Sequence, residues 1–525
     1  METISAEEIR RHTVVLGGDA LEGRAPGSRG GRLAAAYIAA QLEKLGVQPL
    51  GDGGSFFQRV PLVGSAPLPE SRLTISAFGD RRTLRLGDDY LLHSTGAQTW
   101  LARQTPMVFV GYGIVAPEFD YNDYADVDAH GKVAVFLPGE PPSDQADYFA
   151  GTEPTVYSAL ESKVRIALSR GAVGSVLLTR KREAGGRGWD RLQRDYSFEH
   201  FSLASSVPTH LAVLLRPEIA GALFEDALFD FEQVESMERR QALCSFHLPV
   251  SLSFEGEFRV RSFVASNVVG RIRGGGKRLR DESVVVSAHY DHLGLGPKIN
   301  GDPIYNGVID NAIGAAGLIE VARVLSVSTE RPRRTVIFLF TTGEEEGNLG
   351  ARFFLDHPPV PLSKIVANIN VDGLAFQDQF SDVMGIGAEL STLGRHLEKV
   401  AAARGLEVVR PAEAVIGHEA FSRSEQAVFA EAGVPAMLVN EGFSWQHHSR
   451  EQAVALAASW FKQRYHAPSD DLHQPIDFSA SRQHLALISH LILSVADADL
   501  APEWKPGVPY AYQRLLSLAE EQRRR

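Results

Sequence analysis

The chain has 525 residues, with Lys+Arg 53 and Asp+Glu 65 and a formal net charge of -12. Its hydrophobic fraction of 44% and charged fraction of 22% are ordinary for a globular protein and exclude a disordered or fibrous chain. The acidic balance gives no overall attraction for nucleic acid, which we therefore do not expect as a partner. The single cysteine, Cys244, excludes an intrachain disulfide and a cysteine-built zinc site, so any metal must be held by His, Asp and Glu.

Neither a membrane span nor a signal peptide is visible in the sequence. No stretch reaches the roughly 18 apolar residues that a span needs, so we expect no membrane partner. The N-terminus, METISAEEIRRH, lacks the apolar core of a signal peptide. The expected location is cytoplasmic as the chain stands, or exported if a signal peptide was removed. The sequence leaves the oligomeric state open.

The first half of the chain divides into a helical segment and a region of short strands. Arg32–Leu45 carries apolar residues at helical spacing and stops at Gly46, which predicts a helix. From residue 66 to residue 255, short apolar runs such as Met107–Val110 and Val133–Leu137 alternate with turn residues. This pattern predicts a β-rich module of its own.

From Asn267 onwards, continuous apolar strands alternate with helices. This order predicts an α/β fold, in which a mainly parallel twisted sheet is sandwiched by helices. The predicted strands are Ser283–Ala288, Thr335–Thr342, Ile365–Val371 and Val434–Val439. The predicted helices are Ala312–Leu325, Leu390–Arg404, Ser479–Ala496 and a peripheral helix in the tail 502–525.

Side chains of the kind that bind metals follow one predicted strand after another. Each has an ordinary alternative, such as a helix cap for Asp310 or a solvated surface for the glutamates. Because ligands bind beyond the carboxyl ends of parallel strands, we expect these side chains to converge on one edge of the sheet. In chain order they are His289, Asp291, Asp310, Glu344, Glu345, Asp372 and His466.

Two histidines and three carboxylates form a complete ligand set for a pair of zinc ions. Because two dications repel each other, a carboxylate must bridge them. A bridging hydroxide is the expected nucleophile, since zinc lowers the pKa of bound water to about 7. One more carboxylate, not bound to metal, must take the proton and pass it to the leaving amine. Glu344 and Glu345 are adjacent, so one can bind metal while the other faces the water.

The sequence segments that contain these candidate residues resemble the di-zinc aminopeptidase family that includes bacterial secreted leucyl-type aminopeptidases and glutamate carboxypeptidases. Residues 109–136 are similar to the protease-associated domain that is often inserted into such enzymes. The resemblance implies that residues 1–65 and 256–525 are the two parts of a zinc peptidase domain, with a protease-associated, β-rich insert at 66–255. The matching segments are LEGRAPGSRGG (21–31), GDGGSFFQRVPL (51–62), SAHYDHLG (287–294), NGVIDNAIGAAGLIE (306–320), FTTGEEEGNLGAR (340–352), NINVDG (368–373) and YHAPSDDL (465–472).

The resemblance also implies a role for each candidate residue and two zinc ions per chain. His289 and Asp372 bind one zinc ion, Glu345 and His466 bind the other, and Asp310 bridges them. Three further residues have catalytic or supporting roles. Glu344 is the general base and then the general acid, Asp291 orients His289 by accepting its other ring N–H, and Tyr465 stabilises the tetrahedral oxyanion.

The expected function is that of a zinc-dependent exopeptidase acting on peptides, in the first place an aminopeptidase. Three alternatives use the same scaffold: a non-catalytic receptor-like protein, a single-zinc glutaminyl cyclase and a carboxypeptidase. Two segments depart from the family pattern. Relatives commonly carry Arg-Ser-Asp-His where this chain has Arg423-Ser424-Glu425-Gln426. The segment 442–464 contains His447 and His448, for which we expect an exposed polar loop or a lid, with an extra metal site as the alternative.

Overall fold

The structure is a computed structural model and describes residues 3–77, 79–94, 100–145, 147–151, 155–180, 188–410 and 419–524. The chain divides into two compact units. The first comprises the described residues within Met1–Leu62, Phe263–Ile416 and Ala420–Arg525. The second comprises those within Val63–Ser262, together with Glu419.

The first unit is built on a large mixed sheet whose four central strands are parallel. Thr335–Thr341 pairs with Ser283–His289, which pairs with Ile365–Asn370, which in turn pairs with Ala436–Glu441. Flanking strands add antiparallel pairs at both sides. The strand order is Phe57–Pro67, Phe258–Ile272, Thr335–Thr341, Ser283–His289, Ile365–Asn370, Ala436–Glu441, Asp382–Ile386 and Glu407–Val409, with Gln48–Pro49 beside Phe258–Ile272.

Helices cover both faces of this sheet, which explains why its central strands are apolar throughout. Val284 and Val286 belong to one core cluster, whereas Val285, between them, belongs to another. Such continuous apolar strands are typical of a parallel sheet buried on two sides. Helices Ala6–Leu16, Arg29–Lys44, Ile313–Val327, Leu393–Ala402 and Phe478–Ala496 contribute to the first cluster, and Leu349–Asp356 and Glu425–Glu431 contribute to the second. The predicted α/β sandwich is therefore confirmed.

The remaining elements of the first unit connect or flank these layers. Gly294–Ile299 and Asp302–Tyr305 form a separate hairpin. A single wide helical turn, Val308–Ala312, precedes helix Ile313–Val327. The other helices are Glu419–Ser422, Arg450–Gln463 and Tyr510–Arg524, with short 3₁₀ turns at Asp19–Arg24, Asp52–Gly54, Leu362–Lys364 and Ala388–Leu390.

The second unit has an eight-stranded sheet of its own and four helices in its described part. The sheet runs in the order Asp80–Leu84, Arg72–Ala77, Phe246–Glu255, Trp100–Phe109, Val133–Phe136, Gly174–Leu178, Leu211–Leu215 and Tyr90–Ser94. The helices are Leu160–Ser169, Trp189–Asp195, Pro217–Ala220 and Phe231–Arg239, and shorter elements are Val115–Ala116, Pro117–Phe119, Tyr121–Asn122, His200–Leu203 and Gly221–Leu223. Trp100–Phe109, Val133–Phe136, Gly174–Leu178 and Leu211–Leu215 pair in parallel, so the unit combines parallel strands with helices.

The parallel register of the first unit brings several predicted site residues to one edge. His289, the last residue of its strand, pairs with Thr341, the last residue of the neighbouring strand. Glu344 and Glu345 follow Thr341, and Asp372 follows the strand that ends at Asn370. Among the residues that the structure describes, no helix has both the length and the apolar character needed to cross a membrane.

Candidate metal centre

The five predicted ligands lie close together in the structure, although they are far apart in the sequence. His289, Asp310 and Glu345 offer ligand atoms that all lie within 4.8 Å of one another. The Nε2 atom of His289 is 3.3 Å from Asp372 Oδ1. The Nε2 atom of His466 is 3.0 Å from Glu345 Oε2. The structure therefore gathers all five side chains into one cluster.

Asp310 lies between the two histidines and gives one oxygen to each. Its Oδ1 is 3.3 Å from His289 Nε2, and its Oδ2 is 3.3 Å from His466 Nε2. The cluster thus has two halves that share one carboxylate. In one half Asp310 is joined by His289 and Asp372, and in the other by His466 and Glu345.

The spacing of these donor atoms fits zinc. Nitrogen and oxygen ligands lie about 2.0–2.1 Å from zinc, so two ligands of one tetrahedral ion are about 3.3 Å apart. The four nitrogen–oxygen distances in the cluster are 3.0–3.3 Å. In the described part of the chain, the buried Nε2 of His466 has no hydrogen-bond partner, although two carboxylate oxygens lie close to it. An imidazole nitrogen in this position is suited to metal coordination.

The electrostatics of the cluster also favour cations. Burial alone would lower the pKa of His466, but Glu345 and Asp310 outweigh it and raise this pKa to about 10. Burial and Asp310 raise the pKa of Glu345, yet His466 and His292 outweigh both and hold it at about 2. The carboxylates thus stay ionised and stabilise positive charge between them. Divalent cations are the natural occupants of such a site.

Glu344 lies beside the ligands but outside their spacing. Its Oε2 is 4.0 Å from His289 Nε2, compared with 3.3 Å for the oxygens of Asp310 and Asp372. The side chain is buried, and burial, together with the charges of Glu345 and Asp372, raises its pKa well above the ordinary value. A carboxyl group of raised pKa next to a metal site is suited to accepting and returning a proton.

Asp291 contacts His289, as predicted, but through its main-chain oxygen and not through its carboxylate. The Nδ1 atom of His289 is 3.2 Å from the main-chain oxygen of Asp291 and 4.0 Å from its carboxylate. The expected hydrogen bond from the imidazole to the carboxylate is therefore replaced by one to the carbonyl. The carboxylate accepts instead from the backbone N–H of Glu344, at 3.4 Å. Burial raises the pKa of Asp291 to about 7.

Tyr465 is half-buried, and its ring stacks on His466 with centroids 3.8 Å apart. Desolvation, together with the charges of Asp310 and Glu345, raises the pKa of the phenol well above its ordinary value. The hydroxyl consequently keeps its proton at neutral pH and remains a hydrogen-bond donor.

Four further residues, to which the sequence analysis gave no role, tie the ligand segments together. Two of them, Asp470 and Asn311, act on the segments that carry Asp310 and Asp372. The Asp470 carboxylate, in the loop that carries His466, accepts from the backbone N–H groups of Ile309 and Asp310 at 3.0–3.1 Å. Asn311 donates to the Val371 carbonyl and accepts from the Gly373 N–H, both at 2.9 Å, and so fixes the segment that carries Asp372.

The third is Arg24, whose guanidinium is 1% exposed. It donates to the main-chain oxygens of Leu16, Tyr290, Asn306 and Gly307 at 2.6–2.8 Å. Asn306 and Gly307 lie just before Asp310 in the chain, and Tyr290 directly follows His289. Arg24 thereby joins the N-terminal segment to both ligand loops.

The fourth is His292, which hydrogen-bonds to Glu345 and is buried. All four lie in or next to motifs that were visible in the sequence. For Asp470, Asn311 and His292 the signal that was available is a polar residue near a candidate ligand, which is too common to select them, and Arg24 is distant in sequence from every candidate ligand. Their roles depend on burial and on contacts far apart in the chain.

The segments that depart from the family pattern have defined places in the first unit. Glu425 is buried and accepts hydrogen bonds from Thr341 at 2.5 Å and from Asn370 at 2.9 Å. Gln426 accepts a second bond from Asn370, at 3.0 Å. Glu425 and Gln426 thus bond to the final residues of two central strands, just below the metal centre.

Within 442–464, helix Arg450–Gln463 follows a turn, so most of this segment is helical rather than the expected loop. The Nδ1 atoms of His447 and His448 are each 2.8 Å from one oxygen of Asp378. His447 is 65% exposed. The paired histidines are therefore held by a single carboxylate that anchors the turn.

Comparison with known proteins agrees with this fold. Residues 267–492 match the model of peptidase family M28. The fold resembles that of an aminopeptidase from Aneurinibacillus sp. strain AM-1, with a TM-score of 0.51 and 18% sequence identity over 94% of this chain and 93% of that chain. A zinc aminopeptidase from Bacillus subtilis matches with a TM-score of 0.46 and 17% identity, over 93% of this chain and 95% of that chain.

Curated relatives match a smaller part of the chain. A vacuolar membrane protease of Schizosaccharomyces japonicus is 29% identical over 189 residues, which is 36% of this chain and 19% of the relative. One from Saccharomyces cerevisiae is 33% identical over 115 residues, 22% of this chain and 10% of the relative. The chain thus spans a fifth or less of the length of these relatives.

The matched region, with its central parallel sheet and its paired histidines and carboxylates, is a zinc-peptidase domain. Residues 267–492 are those that match peptidase family M28. The predicted family is confirmed, and with it the expectation of zinc as the metal. The similarity of residues 109–136 to a protease-associated domain stays a prediction.

Proposed function

We propose that this protein is a zinc-dependent exopeptidase, and specifically an aminopeptidase that removes N-terminal residues from peptides. The observation that carries the proposal is the position of Asp310, with each oxygen 3.3 Å from a different histidine. This arrangement fits two metal ions that share a carboxylate. Glu344 lies beside them but beyond ligand spacing, where a general base is needed.

Each residue of the centre has one task in this proposal. His289 and Asp372 hold one zinc ion, Glu345 and His466 hold the other, and Asp310 is shared. Bound zinc polarises the carbonyl of the scissile bond and lowers the pKa of water. Glu344 accepts the proton of the attacking water and returns it to the departing amine nitrogen. The phenol of Tyr465 donates a hydrogen bond to the oxygen that becomes negative as the carbonyl carbon turns tetrahedral.

The charges of the cluster support removal of residues from the N-terminus. A free α-amine is cationic at neutral pH and needs a carboxylate in a position that substrate can reach. Asp372 is the most exposed of the five ligand side chains, at 26%, whereas His289 is 1% exposed. Of the carboxylates in the centre, that of Asp372 is therefore the one that a substrate amine can most readily reach. A blocked amine would lose this interaction.

The substrate class is tested with peptides that differ only at the N-terminus. We expect the zinc-loaded enzyme to release nitroaniline from aminoacyl-nitroanilides and to lose this activity with a chelator. The same compounds carrying an N-acetyl group should not be cleaved. Equal cleavage of free and acetylated compounds would contradict an aminopeptidase, and absence of zinc binding would contradict the proposal as a whole.

The role of Glu344 is tested with Glu344→Gln, which keeps the shape of the side chain and removes its basicity. We expect unchanged zinc content and a fall in kcat of about 10²- to 10⁴-fold, the range for loss of a general acid–base group. Glu346→Gln, at the second position beyond it, is the matched control and should keep near-normal turnover. A Glu344→Gln enzyme with normal kcat would show that another group moves the proton.

A further inference from the structure

The two oxygens of Glu345 have different neighbours. Oε2 lies 3.0 Å from His466 Nε2, in the metal centre. Oε1 lies 2.5 Å from Nδ1 of His292. His292 is 1% exposed, and its ring centroid is 5.6 Å from that of His466. The buried ring of His292 therefore contacts both the Glu345 carboxylate and the ring of His466.

The proton in the contact between His292 and Glu345 belongs to the histidine. A metal-binding carboxylate is ionised and can only accept hydrogen bonds. Nδ1 of His292 must then be the donor in this contact, and Nε2 is the other nitrogen of the ring. In the described part of the chain, this Nε2 is buried and has no hydrogen-bond partner. Among the described residues, the ring of His292 therefore makes its hydrogen bond to Glu345.

The backbone is shaped to admit the ring at this place. Gly307 has φ 56°, and a Cβ atom there would lie 2.4 Å from Cγ of His292. The same Cβ atom would lie 2.2 Å from the main-chain oxygen of Asp310, so glycine at position 307 leaves room for both the imidazole and this backbone. Gly307 also accepts a hydrogen bond from Arg24 at 2.8 Å, so the wall behind the ring is itself held in place.

We propose that His292 is a positioning residue, whose Nδ1–H holds Oε1 of Glu345 so that Oε2 alone faces the metal. This inference rests on the proposed zinc site and extends it by one residue. Removing the donor frees the carboxylate to rotate about its own axis. Hydrogen-bond partners of metal ligands typically contribute 10- to 100-fold to metal affinity, and we expect a loss in that range for the ion held by Glu345.

The experiment compares two substitutions of nearly equal size. In His292→Asn, the amide nitrogen occupies the position of Nδ1 and remains a donor. In His292→Leu, the side chain has the same branching and no donor. His473→Ala is the matched control, because His473 is exposed and lies in the loop after His466. Zinc itself is the probe, titrated into the metal-free full-length protein in competition with a chromophoric chelator, and thermal melts of the metal-free proteins report folding.

We expect His292→Leu to weaken one zinc ion by about 10- to 100-fold and to leave the other unchanged. His292→Asn should bind both ions within about threefold of wild type, and His473→Ala should be indistinguishable from it. If His292→Leu binds both ions normally, the inference is overturned. If His292→Leu does not fold, His292→Asn decides: retained affinity supports the inference, and a loss of 10-fold or more refutes it. A wild-type protein that binds no zinc would refute the proposed function as well.

Discussion

Arg24 offers the sharpest test of how the fold supports the metal centre. Its guanidinium is buried and donates to four main-chain oxygens, three of which belong to the loops around His289 and Asp310. Burial lowers the pKa of Arg24 to about 10, which still leaves it charged at neutral pH, and nearby carboxylates such as Asp291 and Asp470 oppose the shift. In Arg24→Ala the oxygens of Tyr290, Asn306 and the other acceptors lose a cationic donor.

The size of the effect follows from these four hydrogen bonds. A hydrogen bond to a charged group contributes about 1.5–3 kcal/mol, so the gross loss is about 6–12 kcal/mol. Relief from burying a charge returns several kcal/mol. The net loss of unfolding free energy expected for Arg24→Ala is therefore about 3–5 kcal/mol. Arg24→Lys keeps the charge but reaches fewer acceptors, and we expect about half of that loss.

Urea unfolding of the metal-free protein measures this loss. Hydrogen exchange of peptides that cover Ser283–His289 places it in the first unit. Arg32→Ala is the control, since Arg32 is an exposed arginine of the same segment with one main-chain hydrogen bond, to Gly27 at 2.8 Å. It should lie within about 0.5 kcal/mol of wild type. A loss below about 1 kcal/mol for Arg24→Ala, with unchanged zinc affinity, would refute the reasoning.

Three further predictions concern single side chains. Asp310→Ala should lose bound zinc in metal analysis, because both histidines of the centre face this carboxylate; retention of both ions would contradict its shared position. Lys163 is buried in the second unit, and burial lowers its pKa from 10.5 to about 7. The unfolded chain then binds more protons between these pH values, so stability should rise with pH across that window, and Lys163→Met should remove the rise in urea unfolding. An equal rise in both proteins would contradict this. Asp378→Asn should speed hydrogen exchange in the turn that carries His447 and His448 and leave zinc content unchanged, because the carboxylate accepts from both rings; unchanged exchange would show that the turn is held by other contacts.

The sheet could be predicted from the sequence because its central strands are buried on both faces. Runs such as Val284-Val285-Val286 are apolar at every position, which a strand with one solvated face does not tolerate. The predicted strand Ser283–Ala288 compares with Ser283–His289 in the structure, and the predicted helix Ser479–Ala496 compares with Phe478–Ala496. The helix predicted at Leu390–Arg404 is shorter, Leu393–Ala402, because a 3₁₀ turn takes up Ala388–Leu390.

The candidate site was predictable in its membership and less so in its detail. Strand ends fixed where His289 and Asp372 would lie, since parallel strands end at a common edge. The atom of Asp291 that meets His289 was not predictable, because carbonyl and carboxylate lie within one residue and the turn geometry decides between them. The helix Arg450–Gln463 was also missed, because its exposed faces give weak apolar periodicity.

The supporting residues share a pattern in the way they connect the segments that carry the predicted ligands. Three of them, Asp470, Asn311 and His292, stand close in sequence to one ligand and reach the segment of a different ligand. His292 follows His289 and binds Glu345, and Asn311 follows Asp310 and fixes the segment of Asp372. Every ligand segment is thereby tied to another by hydrogen bonds from the protein alone.

This cross-tying has an energetic consequence for metal binding. A zinc ion that enters a centre whose ligands are already oriented does not have to order them, so less of its binding energy is spent on side-chain entropy. Asp470 orients Asp310 through its backbone N–H, and Asn311, the next residue in the chain, ties this turn to the segment of Asp372. Asp310, which lies between the two histidines, is thus held by the protein before any metal binds.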